Sequence, residues 1–383
     1  MAKKMRVAVI FGGRSGEHEV SLRSAQAVIE ACDPKRYEVI PIAIDKNGVW
    51  LSPHDSAKLL PAATRLITKD NQVSSDQYSH SEPFVWESVF AAKANDKAAA
   101  VPKAFDVVFP VLHGTYGEDG TIQGLLEMAN MPYVGCGVLA SSCGMDKVTM
   151  KALFRDAGLP VCKYTWFLRN DWEENQAVIL RRIAREIGFP CFVKPANLGS
   201  SVGISKATNR RTLESAITLA ARYDRKIIVE EGLDVREIEC AVIGNDQPQA
   251  SLPGEYVVLD KQAAFLDYTE KYSGTGHVEF IVPAKLSKAA TARVQRMAVQ
   301  VFQAVDGAGL ARVDFFVRRD TNELLVNELN TLPGLTDVSG FPKMWKPSGL
   351  EFPQVIERLI ELALERQREK ARNVTSLESS QSN

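Results

Sequence analysis

Short apolar runs alternate with helical stripes of apolar residues along most of the chain. Near the N-terminus, Arg6–Phe11 and Tyr37–Ile44 are apolar, β-branched runs, and Ser21–Cys32 between them has apolar positions at helical spacing. A further run, Phe105–Leu112, has the continuous apolar character of a buried parallel strand. Strands that alternate with helices predict an open α/β sheet in this part of the chain.

The alternation continues beyond Asp146, which is predicted to cap a helix that runs to Ala157 and is terminated by Gly158-Leu159-Pro160. The later predicted strands are Lys163–Leu168, Cys191–Lys194, Ile227–Glu231, Ala311–Val317 and Leu324–Leu329. The later predicted helices are Glu173–Ile187, Arg211–Tyr223, Lys288–Val305 and Phe352–Arg368. Residues 47–103, in contrast, are polar and weakly periodic, which favours a surface excursion over a separate domain.

Composition and charge narrow the class of protein. A chain of 383 residues with 45% hydrophobic side chains is expected to form two or three packed domains. Its 46 basic and 47 acidic side chains nearly balance, which argues against a nucleic-acid partner. No apolar run has the roughly 18 residues of a membrane span, so no membrane partner is expected. The six scattered cysteines include no Cys-x-x-Cys pair, which is typical of reduced thiols in a cytoplasmic protein.

A glycine-rich turn, Gly12–Glu19, lies between the first predicted strand and helix. Amide groups at a helix N-terminus attract anions, but neither the dinucleotide fingerprint nor a P-loop is present. Two interpretations of Glu17 remain open from the residues alone. Its carboxylate could bind a substrate ammonium group, or it could be an acid in the first helical turn that the helix dipole favours.

Acidic and amide side chains follow two predicted strands near the C-terminus. A period of two places Arg312 and Asp314 on one face of their strand, and Glu328 and Asn330 on one face of the next. If the two faces coincide, three oxygen ligands and a guanidinium group converge, as a Mg²⁺–nucleotide phosphate site requires. A solvated face of an antiparallel pair is the alternative.

Lysines at the ends of elements accompany a loop of small residues. Lys194 ends a strand, Lys147 begins a helix, and the loop Asn197–Gly203 has many exposed amides. A point charge beside an amide-rich loop is suited to phosphate binding. A mobile linker with an incidental surface lysine is the alternative.

These segments together resemble the D-alanine–D-alanine ligases of the ATP-grasp superfamily, from about Arg6 to Arg366. The matching segments, in chain order, are Phe11–Ser21, Leu112–Gly120, Met145–Lys147, Val193–Gly203, Glu270–Tyr272, Ala311–Asp314 and Asn327–Thr336. The excursion and the C-terminal tail are not covered. The Glu270-Lys271-Tyr272 segment is similar to that of the dipeptide-forming branch.

The resemblance implies a three-domain α/β ATP-grasp fold, with an N-terminal open parallel-sheet domain and ATP between the central and C-terminal domains. The implied units are a substrate-binding domain (1–140), a central subdomain (141–230), a C-terminal subdomain with the metal site (231–370) and a disordered tail (371–383). ATP would phosphorylate one D-alanine, and the amine of a second would attack the acyl phosphate. The product, D-alanyl-D-alanine, would serve peptidoglycan synthesis in the cytoplasm of a bacterium, and a homodimer is expected.

The same resemblance implies a role for each matching residue. The residues implied in catalysis are Glu17, Ser200, Tyr272, Arg312 and Ser339. Those implied in substrate binding are Glu17, which would bind the first ammonium group, together with His113, Gly334 and Ser339. Those implied in ATP binding are Lys147, Lys194, Ser200, Ser201, Glu230, Glu231, Leu233, Glu237, Lys271, Asn327 and Glu328. Asp314, Glu328 and Asn330 would hold two Mg²⁺ ions, with Mn²⁺ as a substitute.

Three further implications concern the reaction. Arg312 and the amide of Gly334 would stabilise the tetrahedral oxyanion, and Ser339 would receive the carboxylate of the second D-alanine. The loops Asn197–Gly203 and Leu266–His277 would close to protect the acyl phosphate from water. Positioning and charge neutralisation would then suffice for phosphoryl transfer.

Other functions compete with this interpretation. A D-alanine–D-lactate ligase, or an ATP-grasp enzyme for another carboxylate, would share most of these residues. A nonenzymatic sensor of ATP or an amino acid would use the same scaffold, although none of the presumed site residues is missing. A nicotinamide dehydrogenase is disfavoured because its glycine fingerprint is absent.

Overall fold

The computed structural model describes residues 3–69, 105–199, 201–258, 278–336 and 338–374. Within these residues the strands β1 to β13 are Met5–Gly12, Tyr37–Ile44, Val107–Pro110, Tyr164–Leu168, Cys191–Pro195, Ser205–Ala207, Lys226–Glu231, Val235–Gly244, Gln249–Ala250, Gly254–Val258, Val278–Ile281, Gly309–Arg318 and Leu324–Asn330. The α-helices α1 to α11 are His18–Ala31, Pro53–Lys58, Ala62–Lys69, Thr121–Met128, Val138–Met145, Lys147–Asp156, Arg169–Glu186, Arg210–Ala220, Lys288–Ala304, Gly340–Trp345 and Phe352–Lys370.

The first sheet is parallel and has the strand order β2-β1-β3. Alternate residues of β1 enter two separate apolar cores, with Val7 and Val9 on one face and Ala8 and Ile10 on the other. Both faces are covered, as parallel sheets require, and this explains the continuous apolar run. The C-terminal helix α11 contributes Leu359 to the first of these cores, so the end of the chain packs against its beginning.

The second sheet is antiparallel and has the order β4-β7-β5-β6. Val193 and Val229 point toward helices α7 and α8 and form an apolar core with them. On the opposite face, Ile228 packs against Val148 of helix α6. The polar side chain of Lys194, adjacent in sequence to Val193, is therefore on the side of α6.

The third sheet has the order β11-β10-β8-β12-β13, with β9 paired to β8, and its core packs against helix α9. Arg312 lies opposite Asn330 and Asp314 opposite Glu328 in the antiparallel pair β12–β13. The register shifts between Asp314 and Phe315, which is a local irregularity directly beside the acidic residues. None of the helices in the described segments is both long and apolar enough to cross a bilayer.

The structure confirms the predicted elements, with ends that shift by a few residues. Helix α1 begins at His18, one turn before the predicted start, and the strand predicted over Phe105–Leu112 is confined to Val107–Pro110, where it pairs with β1. The start of the polar excursion is more ordered than expected. Helices α2 and α3 form there, and Leu60 between them belongs to the core beside β2. Residues 70–104 and 375–383 lie outside the described part.

Candidate active site

A cavity of about 730 Å³ opens between the loops of the first sheet and the pair β12–β13. It brings together many of the predicted site residues from distant parts of the chain. Those that line it are Glu17, His113, Ser201, Arg312, Asp314, Glu328, Asn330, Gly334 and Ser339. Ser200, Lys271 and Tyr272, and the loop 266–277, lie outside the described residues.

The glycine turn directs Glu17 into this cavity. Gly12 has a φ of +88°, and its amide donates a hydrogen bond of 2.7 Å to the Ser21 hydroxyl on α1. Glu17 occupies the N-cap position, yet its side chain does not cap the helix. A Cβ atom added to either Gly114 or Gly199 would lie 3.3 Å from Glu17 Oε1, so two backbone segments border this carboxylate closely. The Glu17 carboxylate therefore faces the cavity and does not cap the first turn of α1.

His113 is buried at the back of the cavity and joins its two sides. Its Nε2 lies 2.9 Å from the Ser24 hydroxyl, and its Nδ1 lies 3.1 Å from the carbonyl oxygen of Leu332, just beyond β13. Burial alone would lower the pKa of His113, but the carboxylates of Glu118 and Glu17 outweigh it and raise the pKa above its usual value. The carboxylates thus favour the positively charged form of the imidazole, which links the loop after β3 to the turn after β13.

The predicted faces of β12 and β13 do coincide. Arg312 donates two hydrogen bonds of 2.6 Å to Asp314, one to each carboxylate oxygen. Glu239 is a site residue that the sequence reasoning missed: it lies opposite Asp314 on β8, lines the cavity, and has Oε1 3.3 Å from Arg312 Nε. The sequence does contain a signal for Glu239: Glu237 and Glu239 are two residues apart in a mostly apolar strand and therefore lie on the same face.

The turn after β13 places two predicted residues in contact. Ser339 is the N-cap of α10, and its hydroxyl lies 2.7 Å from that of Thr336. A Cβ atom added to Gly334 would lie only 2.9 Å from Ser339 Oγ. Glycine at position 334 therefore lets the backbone approach the serine hydroxyl, which lines the cavity.

Lys147 and Lys194, two of the predicted phosphate-binding lysines, lie close together behind the cavity. Asp146 caps α6 through the amides of Val148 and Thr149, as predicted. Lys147, the first residue of that helix, donates a 2.7 Å hydrogen bond to the Leu198 carbonyl oxygen, and its Nζ lies 3.9 Å from Glu328 Oε2. Burial lowers the pKa of Lys147, although Glu328 acts in the opposite direction.

Glu230 is enclosed rather than open, which the sequence did not indicate. Its Oε2 accepts a 2.6 Å hydrogen bond from Lys194, and its Oε1 lies 3.1 Å from Nζ of Lys151, a residue that the sequence reasoning missed. The side chain of Glu230 therefore faces two lysines, so any contact with adenosine would be made by the backbone of Glu230. Glu231 Oε1 accepts a hydrogen bond of 2.7 Å from the Lys163 amide. Leu233, Glu237 and Asn327 are partly buried.

The oxygen donors fit a hard cation such as Mg²⁺. Asp314, Glu328 and Asn330 supply two carboxylates and an amide at adjacent cross-strand positions, and all three line the cavity. No group of three or more His, Cys, Asp or Glu side chains with metal-binding geometry is found in the segments that the structure covers. The third oxygen donor of this candidate set is thus the side-chain amide of Asn330.

Comparisons with known proteins point to one family. Residues 6–136 match the family model described as D-ala D-ala ligase N-terminus, and residues 153–361 match that described as D-ala D-ala ligase C-terminus. The D-alanine–D-alanine ligase of Heliobacterium modesticaldum is 47% identical over 374 residues, which cover 97% of this chain and 98% of the relative. That of Bacillus cytotoxicus is 45% identical over 367 residues, which cover 96% and 98%.

Two solved structures are similar along nearly their whole length. The D-alanine–D-alanine ligase from Coxiella burnetii has a TM-score of 0.76 and 35% identity, and the match covers 97% of both chains. The VanG D-Ala:D-Ser ligase from Enterococcus faecalis has a TM-score of 0.77 and 36% identity, and the match covers 94% of this chain and all of that one.

Proposed function

The chain belongs to the D-alanine–D-alanine ligase family, and from this premise we propose how its cavity carries out the ATP-dependent ligation of two D-alanine molecules. The product of the family's reaction is D-alanyl-D-alanine, a building block of peptidoglycan. One observation carries the residue-level proposal. Glu17 faces, across a single cavity, the cross-strand set of Arg312, Asp314, Glu328 and Asn330.

The first D-alanine binds with its ammonium group at Glu17. The carboxylate of Glu17 borders the backbone of Gly114 and Gly199, so a small amino acid held there has little room to turn. Its own carboxylate then points toward the phosphates of ATP. His113 neutralises part of the acidic environment behind Glu17, because its raised pKa favours the charged imidazole.

ATP binds with its phosphates at Lys147 and Lys194, and Ser200, Ser201 and Lys271 complete the set. Glu230, Glu231, Leu233, Glu237 and Asn327 form the surroundings of the adenosine. Asp314, Glu328 and Asn330 would hold two Mg²⁺ ions, or Mn²⁺ in their place, which neutralise phosphate charge when bound. Lys147 and Lys194 are buried, so their charges act in a low dielectric.

The second D-alanine binds with its carboxylate at Ser339, where the close approach of Gly334 fixes the hydroxyl. By then the carboxylate of the first D-alanine has taken the γ-phosphoryl group of ATP, with ADP as the leaving group. The amine of the second D-alanine, after losing a proton, attacks the carbonyl carbon of this acyl phosphate and finally displaces inorganic phosphate. Negative charge develops on the attacked carbonyl oxygen before the phosphate leaves. Arg312 and the amide of Gly334 stabilise that charge. Tyr272 joins Ser200 and Glu17 in the hydrogen-bonded set that orients the first substrate.

We also propose an oligomeric state, a cellular location and a division of the chain into structural units. The chain acts as a homodimer in a bacterial cytoplasm, and its three sheets correspond to units 1–140, 141–230 and 231–370. Light scattering of the purified protein tests the dimer, and a mass equal to one chain would contradict it.

The decisive experiment measures ADP release with Mg²⁺, ATP and D-alanine, together with mass spectrometry of the product. We expect release that depends on D-alanine and a product with the mass of D-alanyl-D-alanine, whereas L-alanine serves as the inactive control. No release under these conditions would favour a sensor on the same scaffold. Parallel reactions with D-lactate and D-serine as acceptors separate a D-alanine–D-alanine ligase from relatives that use another acceptor, such as the VanG D-Ala:D-Ser ligase.

A further inference from the structure

Lys151, a residue without an assigned role, lies entirely inside the protein beside the proposed phosphate site. It follows Lys147 by one turn of α6, so the two side chains leave the same face of the helix. Only 1% of Lys151 is exposed. An ammonium group buried to this extent is stable only where neighbouring groups replace its hydration.

Two oxygen atoms replace that hydration. Lys151 Nζ lies 3.1 Å from Glu230 Oε1 and donates a hydrogen bond of 2.9 Å to the carbonyl oxygen of Asn327. The other carboxylate oxygen of Glu230 accepts the 2.6 Å hydrogen bond from Lys194. Glu230 therefore bridges the two lysines. Lys151 in turn joins the second sheet to β13, the strand that carries Glu328.

The net charge of Lys151, Glu230 and Lys194 determines how strongly this bridge attracts an anion. Two ammonium groups and one carboxylate leave one positive charge in excess. Burial would raise the pKa of Glu230, but Lys151 and Lys194 lower it to about 2, so the carboxylate stays ionised. Without Lys151, Glu230 and Lys194 would form a neutral pair, and an anion would gain much less from approaching Lys194.

Building on the proposed contact between Lys194 and the nucleotide, we propose that Lys151 is a positioning residue for phosphoryl transfer. It balances the charge of Glu230, so that Glu230 orients Lys194 while the positive charge of Lys194 remains available to the ATP phosphates. Its hydrogen bond to Asn327 anchors the strand of Glu328 at the same time. Lys151 acts through these neighbours, because only 1% of it is exposed and its ammonium group faces Glu230 and the Asn327 carbonyl oxygen.

The first test is Lys151→Met, which removes the charge and keeps an unbranched side chain of similar length. We measure the affinities for ADP and adenosine by calorimetry and express the phosphate-dependent part as their ratio. We expect that ratio to fall roughly tenfold or more, because a buried charge partner is lost. The KM for ATP should rise in parallel. An unchanged ratio, with or without a general loss of affinity, would overturn the proposal.

The second test restores the charge balance. Lys151→Met/Glu230→Gln removes one charge of each sign and leaves Lys194 with its positive charge. We expect the ADP-to-adenosine ratio to recover from that of Lys151→Met, whereas a purely space-filling Lys151 predicts additive losses. The packing control is the buried neighbour Met150, whose substitution Met150→Leu should change the ratio by less than about twofold.

Thermal unfolding identifies a variant that fails to fold. If Lys151→Met does not fold, the double variant is compared with Glu230→Gln, in which Lys151 has no carboxylate to balance. Little further change in the ratio supports the proposal, and a roughly tenfold further loss overturns it. Failure of the proposed function and failure of the proposed role of Lys151 give different results. A wild type that makes no D-alanyl-D-alanine rejects the proposed function, whereas an active wild type with no ADP-specific defect in Lys151→Met rejects only the role of Lys151.

Discussion

The guanidinium group of Arg312 binds both carboxylate oxygens of Asp314, two residues further along the same strand, at 2.6 Å each. A bidentate pair of this kind is strong and directional. It holds the proposed oxyanion-stabilising group and a proposed metal ligand together. Asp314 would hold a cation at the expense of this pairing, which would turn the guanidinium group of Arg312 toward the reacting carbonyl.

We expect Glu328→Gln to lower kcat by about 10³-fold while the protein still folds, because a metal ion contributes several kcal/mol of charge stabilisation. The substitution removes charge but little volume, and Glu328 is only partly buried. Steady-state kinetics at several Mg²⁺ concentrations measures the effect. Glu323→Gln on the same hairpin is the control, since its side chain is 49% exposed and should leave activity near that of the wild type. Normal turnover in Glu328→Gln would remove Glu328 from the metal site.

Arg312→Met should lower kcat by about 10²–10³-fold, which is typical of the loss of one oxyanion donor. The KM for ATP should change much less, because the proposed contact forms mainly in the transition state. Arg318→Met is the matched control on the same strand, where the guanidinium group pairs with Asp320 near the surface. A large rise in the KM for ATP with a normal kcat would instead make Arg312 a nucleotide-binding residue.

This site could be predicted from the sequence because strand periodicity is local. A period of two was enough to place Arg312 and Asp314 on one face. The residue opposite each of them could not be predicted, because the register of β12 and β13 depends on the irregularity after Asp314. Lys151 was missed for a related reason. A lysine in a helical pattern indicates a surface position, and only the tertiary contact with Glu230 makes its burial possible.

Gly334→Ala should selectively weaken the binding of the second D-alanine. The added Cβ atom would lie 2.9 Å from Ser339 Oγ, so the hydroxyl or the turn must move, at a cost of about 1–3 kcal/mol. We expect the KM for the second D-alanine to rise about tenfold, with little effect on ATP. Because Gly334 does not have a left-handed φ, the backbone itself tolerates alanine.

Gly124→Ala provides the control for that substitution. Gly124 lies within α4, and a Cβ atom there meets no other atom within 4 Å. We expect it to stabilise the protein by about 0.5–1 kcal/mol, as alanine does in a helix, with unchanged kinetics. Equal KM values in Gly334→Ala and the wild type would show that Ser339 does not hold the second substrate.

His113 should make stability depend on pH in a defined direction. Burial disfavours its charged form, but Glu118 and Glu17 raise its pKa above the usual 6.5. A group whose pKa rises on folding stabilises the protein fully below its unfolded pKa and loses that contribution as the pH rises through the folded pKa. We therefore expect the unfolding free energy of the wild type to exceed that of His113→Gln most at about pH 5.5–6.5, and the difference to shrink at higher pH.

Urea unfolding of both proteins from about pH 5.5 to about pH 9 measures this difference. His54 is exposed and provides the control, since His54→Gln should change the free energy of unfolding by less than about 0.5 kcal/mol across this pH range. A difference that grows with pH would show that the folded protein prefers neutral His113, and the raised pKa would be wrong.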